Sequence, residues 1–234
     1  MALERIDYAD GAVALTGWLA RPAGAARGAV VLYPTIMNVN APMERRAQML
    51  ADAGFVTMIA DFYGVPVIDF AHARERAEGL RADVDGYRRR IGAGIAALRA
   101  LAGDLALSAV GYCMGGQAVL EAARSGEDLA LVASFHGILS TDRPATAATP
   151  IATRILVCHG DADPLAPRDH VIAFWQEMDA AGANWHFHSY AGVRHGFTDP
   201  GSDARGLPAI GYDASADYQS WAALISLLGE VCTA

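Results

Sequence analysis

Short runs of apolar and β-branched residues alternate along this chain with longer segments in which apolar residues recur every three or four positions. The short runs predict buried strands, and the longer segments predict amphipathic helices. The predicted strands cover residues 13–19, 29–33, 55–60, 105–110, 129–135, 154–159 and 185–190. The predicted helices cover residues 42–53, 84–102, 117–124, 168–181 and 216–230.

The order of these elements predicts the fold class. Continuous apolar strands such as 155–158 are typical of a parallel sheet that is covered on both faces. Strands that alternate with helices indicate βαβ units and therefore one open, mostly parallel, doubly wound α/β sheet. The strand at 13–19 is expected at an edge, where it can pair antiparallel. Loops are predicted at 63–70, 141–150 and 198–213, and with no repeat or long linker in view, residues 1–234 are expected to form one domain.

The composition of the chain limits the classes of partner that it is expected to bind. With 53% hydrophobic and 19% charged residues the chain can bury a full core, and its net charge of −8 argues against nucleic acid. No apolar run reaches the roughly 18 residues of a membrane span, and the first residues lack the layout of a signal peptide. Three widely spaced cysteines indicate neither a disulfide framework nor a metal site. We therefore expect a cytoplasmic protein, without membrane or nucleic-acid partners, whose cysteines stay reduced.

The candidate chemistry begins at Cys113, in the stretch Gly-Tyr-Cys-Met-Gly-Gly between a predicted strand and a predicted helix. A nucleophile elbow is a strained strand-to-helix turn, and it needs small residues two positions before and after the nucleophile. Gly111 and Gly115 meet that need. A thiol at the start of a helix is also expected to have a lowered pKa, because the helix end is partly positive. The other interpretation of Cys113 is a small buried hydrophobic residue, and this suits Cys158, inside an apolar strand, much better.

Two later segments supply an acid and a base in the chain order of an α/β-hydrolase. His195 follows the last predicted strand and is the candidate base that takes the thiol proton. Asp163, which precedes a proline, is the preferred acid to orient the imidazole, although Asp161 competes for that role. The alternative for Asp161 is an aspartate that forms a turn by bonding its own backbone.

An acyl transfer also needs hydrogen-bond donors for the oxyanion that develops on the substrate. The backbone amide of Met114, the residue after the nucleophile, is the first candidate. The second is expected in the loop after strand 29–33, at Ile36, on the basis of topology alone.

Together these segments resemble the dienelactone hydrolase family over nearly the whole chain. The matching stretches, in order, are Ala-Asp-Phe-Tyr-Gly at 60–64, Gly-Tyr-Cys-Met-Gly-Gly at 111–116, Ser-Phe-His-Gly at 134–137, His-Gly-Asp-Ala-Asp-Pro at 159–164, His-Gly-Phe at 195–197, and the tail around Tyr212, Ala216-Asp217 and Trp221. The resemblance implies a single α/β-hydrolase domain without a large cap. It also implies that Cys113, Asp163 and His195 hydrolyse a small ester or lactone without a cofactor or metal, as a carboxymethylenebutenolidase-type enzyme.

The sequence departs from the family at two places. Thr35 occupies the position of a glutamate that in the family gates the protonation of the cysteine, so His195 and the helix end are expected to set the thiolate fraction here. Asp199 falls near the site of an arginine that holds the substrate carboxylate. Further candidates for the substrate pocket are therefore Thr35, His136, Arg74, Arg76 and Arg205.

Other functions stay open from the sequence alone. The same three residues would serve a thioesterase or an acyl transferase, and an exposed thiol of low pKa would suit a redox sensor without turnover. The expected partner is a small-molecule substrate, and the protein is expected to be a monomer or a homodimer.

Overall fold

The structure is a computed structural model that describes residues 3–232 and is organised around one eight-stranded sheet. The strands are β1 (Glu4–Asp10), β2 (Val13–Ala20), β3 (Gly28–Tyr33), β4 (Phe55–Ile59), β5 (Leu107–Tyr112), β6 (Leu131–Phe135), β7 (Arg154–Gly160) and β8 (Trp185–Tyr190). The α-helices are α1 (Ala41–Asp52), α2 (Phe70–Arg81), α3 (Val84–Ala102), α4 (Met114–Arg124), α5 (Arg168–Ala180) and α6 (Ala214–Val231).

The strands lie in the order β1-β2-β4-β3-β5-β6-β7-β8. From β4 onward in this order, neighbouring strands are parallel, whereas β2 pairs antiparallel with both β1 and β4. The predicted mostly parallel, doubly wound α/β sheet is confirmed. The strand predicted at 13–19 does pair antiparallel, but its expected position at the edge is wrong because β1 covers it.

Two apolar layers hold the sheet between them. On one face α1 and α6 pack on the sheet through residues such as Leu50 and Leu224. On the other face α2, α3, α4 and α5 do so through residues such as Ile91 and Phe174. The central strands β3, β4, β5 and β6 are buried along their whole length, which accounts for their continuous apolar sequences.

Because β3 and β5 to β8 run parallel, the segments that follow them come together at one edge of the sheet. Tyr33 lies beside Gly111, Tyr112 beside Phe135, and Gly160 beside Tyr190. The residues that follow these strand ends include most of the candidate site. No helix within residues 3–232 is long and apolar enough to cross a membrane.

Candidate active site

Cys113 occupies a strained turn between β5 and α4. Its φ of 57° lies in the left-handed region that residues with a Cβ rarely adopt. The turn is held because the Cys113 N–H donates to the Phe135 carbonyl (3.0 Å) and the Cys113 carbonyl accepts from the Gln117 N–H (3.2 Å). The residue is partly exposed at the carboxyl edge of the sheet, while burial desolvates its thiol.

The flanking glycines are needed for close backbone approach. A Cβ at Gly111 would lie 1.9 Å from the Gly115 carbonyl oxygen, and one at Gly115 would lie 2.0 Å from the Tyr33 carbonyl oxygen. Neither position tolerates a side chain, so the predicted need for small residues around Cys113 is confirmed.

Asp163 and His195 meet beside this turn. Nδ1 of His195 lies 2.7 Å from Oδ2 of Asp163, and both side chains are buried. The second carboxylate oxygen of Asp163 accepts from the Leu165 N–H at 2.9 Å. Asp161, the competing acid, instead forms an exposed ion pair with Arg168 at 2.6 Å.

The loop that carries His195 is fixed by its backbone. The His195 N–H donates to the Ala209 carbonyl (3.1 Å), and the His195 carbonyl accepts from the Gly211 N–H (3.0 Å). The Ser202 hydroxyl donates to the Gly196 carbonyl at 2.7 Å. The imidazole therefore belongs to a rigid loop, although the loop has little regular secondary structure.

The Cys113 thiol and the His195 ring lie close enough for each to shift the pKa of the other. Burial opposes charge on both groups: it acts to raise the pKa of the thiol and to lower the pKa of the imidazole. The opposite charges of the two groups, together with the Met114 and Ile36 amides at the thiol and Asp163 at the imidazole, outweigh burial, so the thiol pKa is lowered and the imidazole pKa is raised. The pair thus shifts both groups toward their charged forms, thiolate and imidazolium.

Two backbone amides, those of Met114 and Ile36, also help to lower the pKa of the Cys113 thiol. These are the two amides that sequence and topology predicted as oxyanion donors. A group that forms a bond with this sulfur would therefore lie within reach of both N–H groups.

His136 packs behind the catalytic candidates. Its ring meets His195 edge-on with centroids 5.0 Å apart, and its Nε2 lies 2.9 Å from the Thr198 hydroxyl. Burial, followed by the positive charges of His195 and Arg46, holds the pKa of His136 well below its usual range. We infer that His136 is a neutral packing partner of His195.

The described contacts of the candidate arginines are with other side chains, although the charge of Arg205 also acts on His136. Arg74 and Arg76 lie on the exposed side of α2, where Arg74 pairs with Glu78 (2.7 Å) and Arg76 contacts His72 (3.1 Å). Arg205 forms an ion pair with Asp199. These arginines already have partners at the surface, so their predicted role in binding substrate gains no support from the structure. Thr35 lies in the loop after β3, where its hydroxyl accepts from the Met37 N–H at 3.2 Å.

A cleft of about 430 Å³ opens beside the first turn of α4. Its lining includes Arg81, Tyr87, Gln117, Ile138 and Thr141. Gln117 is one helical turn from Cys113, and the Tyr87 hydroxyl donates to the Met114 carbonyl at 3.0 Å. This cleft therefore adjoins the start of α4, and a second cleft, of about 470 Å³, is lined by Asp163 itself.

Sequence reasoning missed two buried polar clusters around the site. Arg46 of α1 pairs with Asp217 of α6 and donates to the Thr198 carbonyl at 2.8 Å, three residues after His195. Asp61 binds Asn38 in the loop that carries Ile36. Asp61 and Asp217 do lie in stretches that resemble the family, which was the available signal.

Comparison with known proteins decides the family. The model of the dienelactone hydrolase family matches residues 15–232, which is almost the whole chain and includes each residue of the site. The chain belongs to the dienelactone hydrolase family. It is thus a hydrolase of this family, with the α/β-hydrolase fold predicted from its sequence.

Three relatives of this family member illustrate the range of similarity. A crystal structure of a dienelactone hydrolase-like promiscuous phosphotriesterase from metagenomic libraries is 33% identical, with a TM-score of 0.91 and coverage of 99% of both chains. A probable 2-oxo-3-(5-oxofuran-2-ylidene)propanoate lactonase of a Bradyrhizobium species is 26% identical over 87% of each chain. An uncharacterised protein of Caenorhabditis elegans is 38% identical over 53% of this chain and 79% of its own.

Proposed function

We propose that this chain hydrolyses small esters or lactones with Cys113 as nucleophile, His195 as acid and base, and Asp163 as the group that orients His195. The observation that carries the proposal is the buried His195–Asp163 pair, 2.7 Å apart, at the same carboxyl edge of the sheet as the Cys113 turn, where His195 and Cys113 shift each other's pKa. Brought together at one point, these groups match the geometry of a nucleophile, a base and an orienting acid.

The proposed reaction starts from the thiolate–imidazolium pair. The Cys113 thiolate attacks the carbonyl carbon, and the oxygen of the tetrahedral intermediate accepts hydrogen bonds from the Met114 and Ile36 amides. As the carbon–oxygen bond to the leaving group breaks, imidazolium gives its proton to the departing alkoxide, and an acyl-thioester remains.

Neutral His195 then takes a proton from water, and the hydroxide attacks the thioester. The Cys113 thiolate leaves, His195 is again protonated, and the carboxylic acid is released. One water is consumed for each ester bond broken, and every proton transfer uses a residue of this chain. The proposed reaction requires no cofactor and no metal.

The charges that line the cleft bear on the substrate class. Glu78 and Glu121 are paired with other arginines, and Asp142 lies in the same lining as Arg81. The lining therefore has no net positive charge to bind a carboxylate, which favours a neutral ester or lactone. Carboxymethylenebutenolidase-type specificity is therefore not our preferred proposal. A phosphotriester is the second candidate, because the 33% identical relative is described as a promiscuous phosphotriesterase and a thiolate can attack phosphorus as well as carbon. Thioesters would test the thioesterase alternative.

Turnover of p-nitrophenyl acetate, γ-lactones, an aryl phosphotriester and an acyl thioester, measured with wild type and three variants, tests the proposal. We expect Cys113→Ala to reduce kcat/KM by at least about 10³-fold and Asp163→Asn to reduce it strongly as well. Asp161→Asn is the matched control, because Asp161 pairs with Arg168 at the surface, and it should retain wild-type activity.

A burst of p-nitrophenol, equal to one per Cys113, would support an acyl-enzyme. Full activity in Cys113→Ala would show that Cys113 is not the nucleophile and would contradict the proposed mechanism. A protein that reacts with peroxide at Cys113 but turns over no member of the panel would favour the redox sensor. We keep the cytoplasm as the proposed location, because the mechanism needs a reduced thiol.

A further inference from the structure

The peptide group between Thr35 and Ile36 is held at both ends. Its N–H, from Ile36, is one of the groups that lower the pKa of the Cys113 thiol, and its carbonyl, from Thr35, accepts from the Asn38 N–H at 2.9 Å. In a planar trans peptide the C=O and the N–H point in opposite directions. A donor that fixes the Thr35 carbonyl therefore also fixes where the Ile36 N–H points.

Asn38 can make that bond because of an unusual backbone conformation. Its φ is 58°, in the left-handed region, and its side chain is buried. The Asn38 Nδ2 donates to Oδ1 of Asp61 at 2.8 Å, and its Oδ1 accepts from the Phe62 N–H at 3.3 Å. These two bonds hold a conformation that residues with a Cβ otherwise avoid.

Asp61 connects this loop to the end of β4. Besides Asn38, its carboxylate accepts from the N–H groups of Tyr63 (2.8 Å), Gly64 (3.0 Å) and Thr16 (3.2 Å). A buried carboxylate with this many donors is a fixed point in the structure.

Tyr63 contacts both Ile36 and Met114. Its hydroxyl donates to the Ile36 carbonyl at 3.1 Å and lies 3.5 Å from the sulfur of Met114. The Tyr63 hydroxyl thus contacts both of the residues whose amides lower the pKa of Cys113.

We propose that Asn38, Asp61 and Tyr63 are positioning residues that aim the Ile36 N–H at the oxygen which becomes negative during catalysis. The proposal rests on the hydrolase mechanism above and adds residues to it that need not touch the substrate. It predicts that loss of these contacts reduces the stabilisation that the Ile36 N–H gives to the transition state and to the Cys113 thiolate. Binding of the substrate in the ground state should change little.

Asn38→Gly is the first test. Glycine tolerates a φ of 58° but cannot bind Asp61, so the loop loses its anchor without backbone strain. We expect kcat to fall about tenfold with KM nearly unchanged, less than the 10²–10³ that follows complete loss of an oxyanion donor. The midpoint of Cys113 alkylation should move to higher pH, because a donor to the thiolate is weakened. Asn38→Ala should reduce kcat further, because alanine at this φ also strains the backbone.

The matched control is Asn184→Gly, the same substitution at an exposed position before β8. It should leave kcat, KM and the alkylation midpoint unchanged. Wild-type kcat and midpoint in folded Asn38→Gly would overturn the proposal.

Tyr63→Phe decides the matter if the Asn38 variants do not fold. It removes only the hydroxyl that binds the Ile36 carbonyl, and we expect a smaller fall in kcat and a smaller rise of the midpoint. An unchanged kcat and midpoint in Tyr63→Phe would then overturn the proposal. Alkylation by iodoacetamide needs no turnover, so it reports on the Ile36 amide even if Cys113→Ala were to show that the proposed hydrolase mechanism fails.

Discussion

Cys113 and His195 share one proton, and their mutual electrostatics decide where it rests. Each group lowers the cost of charging the other, and together with the Met114 and Ile36 amides and Asp163 this outweighs the penalty that burial imposes on both. Cys158 shows the contrast within the same protein. It lies buried in β7, and burial raises its pKa to about 12. A thiol becomes reactive here through its partners, and Cys158 has no such charged partner to offset its burial.

The pH dependence of alkylation tests this pairing. The thiolate of Cys113 is present above its lowered pKa and is lost as the pH falls through that value, so iodoacetamide should react at lower pH than it does with an unperturbed cysteine. His195→Gln removes the positive charge, and the midpoint should then rise toward or above the roughly 8.5 of a free cysteine. His186→Gln, an exposed histidine on β8, is the control and should leave the profile unchanged. A wild-type profile in His195→Gln would contradict the ion pair.

Thr35→Glu extends the same measurement to the position at which this chain departs from its family. Wild-type Thr35 is neutral, and its hydroxyl is bonded to the Met37 N–H. A carboxylate introduced there should disfavour the nearby thiolate and raise the alkylation midpoint. Identical profiles would mean that residue 35 is too far from the sulfur to regulate it.

At the scale of elements, helices on one face of the sheet hold the histidine loop. Arg46 of α1 and Asp217 of α6 form a buried ion pair, and the guanidinium also lies over the rings of Tyr112 and Trp221, 5.5 Å from each centroid. Its hydrogen bond to the Thr198 carbonyl connects this pair to the segment after His195. Two helices that carry no candidate catalytic residue thus support the base.

Arg46→Met should destabilise the protein by about 3–5 kcal/mol, because it leaves Asp217 buried without its partner. Urea unfolding followed by circular dichroism measures the change. The double variant Arg46→Met/Asp217→Leu should recover much of the loss, since no unpaired charge remains. Arg74→Met is the control on α2, where an exposed pair is broken and little change is expected. A single Arg46→Met variant as stable as wild type would contradict the prediction.

The elements that sequence patterns predicted are those with a strong apolar period. Strands such as β3 and β7 and helices such as α3 were placed to within a few residues. Helix α2 was missed because only Ala73 and Ala77 of its residues are buried, which leaves no apolar stripe. Strand β1 was missed because charged residues outnumber its partly buried Ile6 and Tyr8.

The residues of the candidate site likewise fall into those that a local sequence pattern predicts and those that it does not. Cys113, Asp163 and His195 could be proposed from local motifs, because strand ends and glycines mark the turns that carry them. Arg46 and Asp217 lie 171 residues apart, and Asn38 and Asp61 lie 23 apart. Such pairs leave no local pattern in the sequence, because each of these side chains could form its hydrogen bonds with any of several partners. Only the three-dimensional structure shows which residues are paired.

At the scale of the whole molecule, the sheet separates two apolar layers. The candidate site lies at the carboxyl edge and draws on both layers: α4, with Cys113 at its start, packs on one face, and α1 and α6 support His195 from the other. The layers themselves share no helix. Packing changes within one layer should therefore have little effect on the other.

Two substitutions in opposite layers test that separation. Leu50 of α1 and Ile91 of α3 are both fully buried, on opposite faces of the sheet. We expect Leu50→Ala to cost about 2–5 kcal/mol and Ile91→Val about 0.5–1.5 kcal/mol in the free energy of unfolding. Because the sheet lies between the two sites, the double variant should equal the sum to within about 0.5 kcal/mol, measured by urea unfolding. Ile91→Val combined with Ile95→Val, one helical turn apart in the same layer, is the comparison in which a deviation is expected. A clear departure from additivity across the sheet would show that the layers are coupled, and that the sheet transmits strain between the helices that carry the nucleophile and those that support the base.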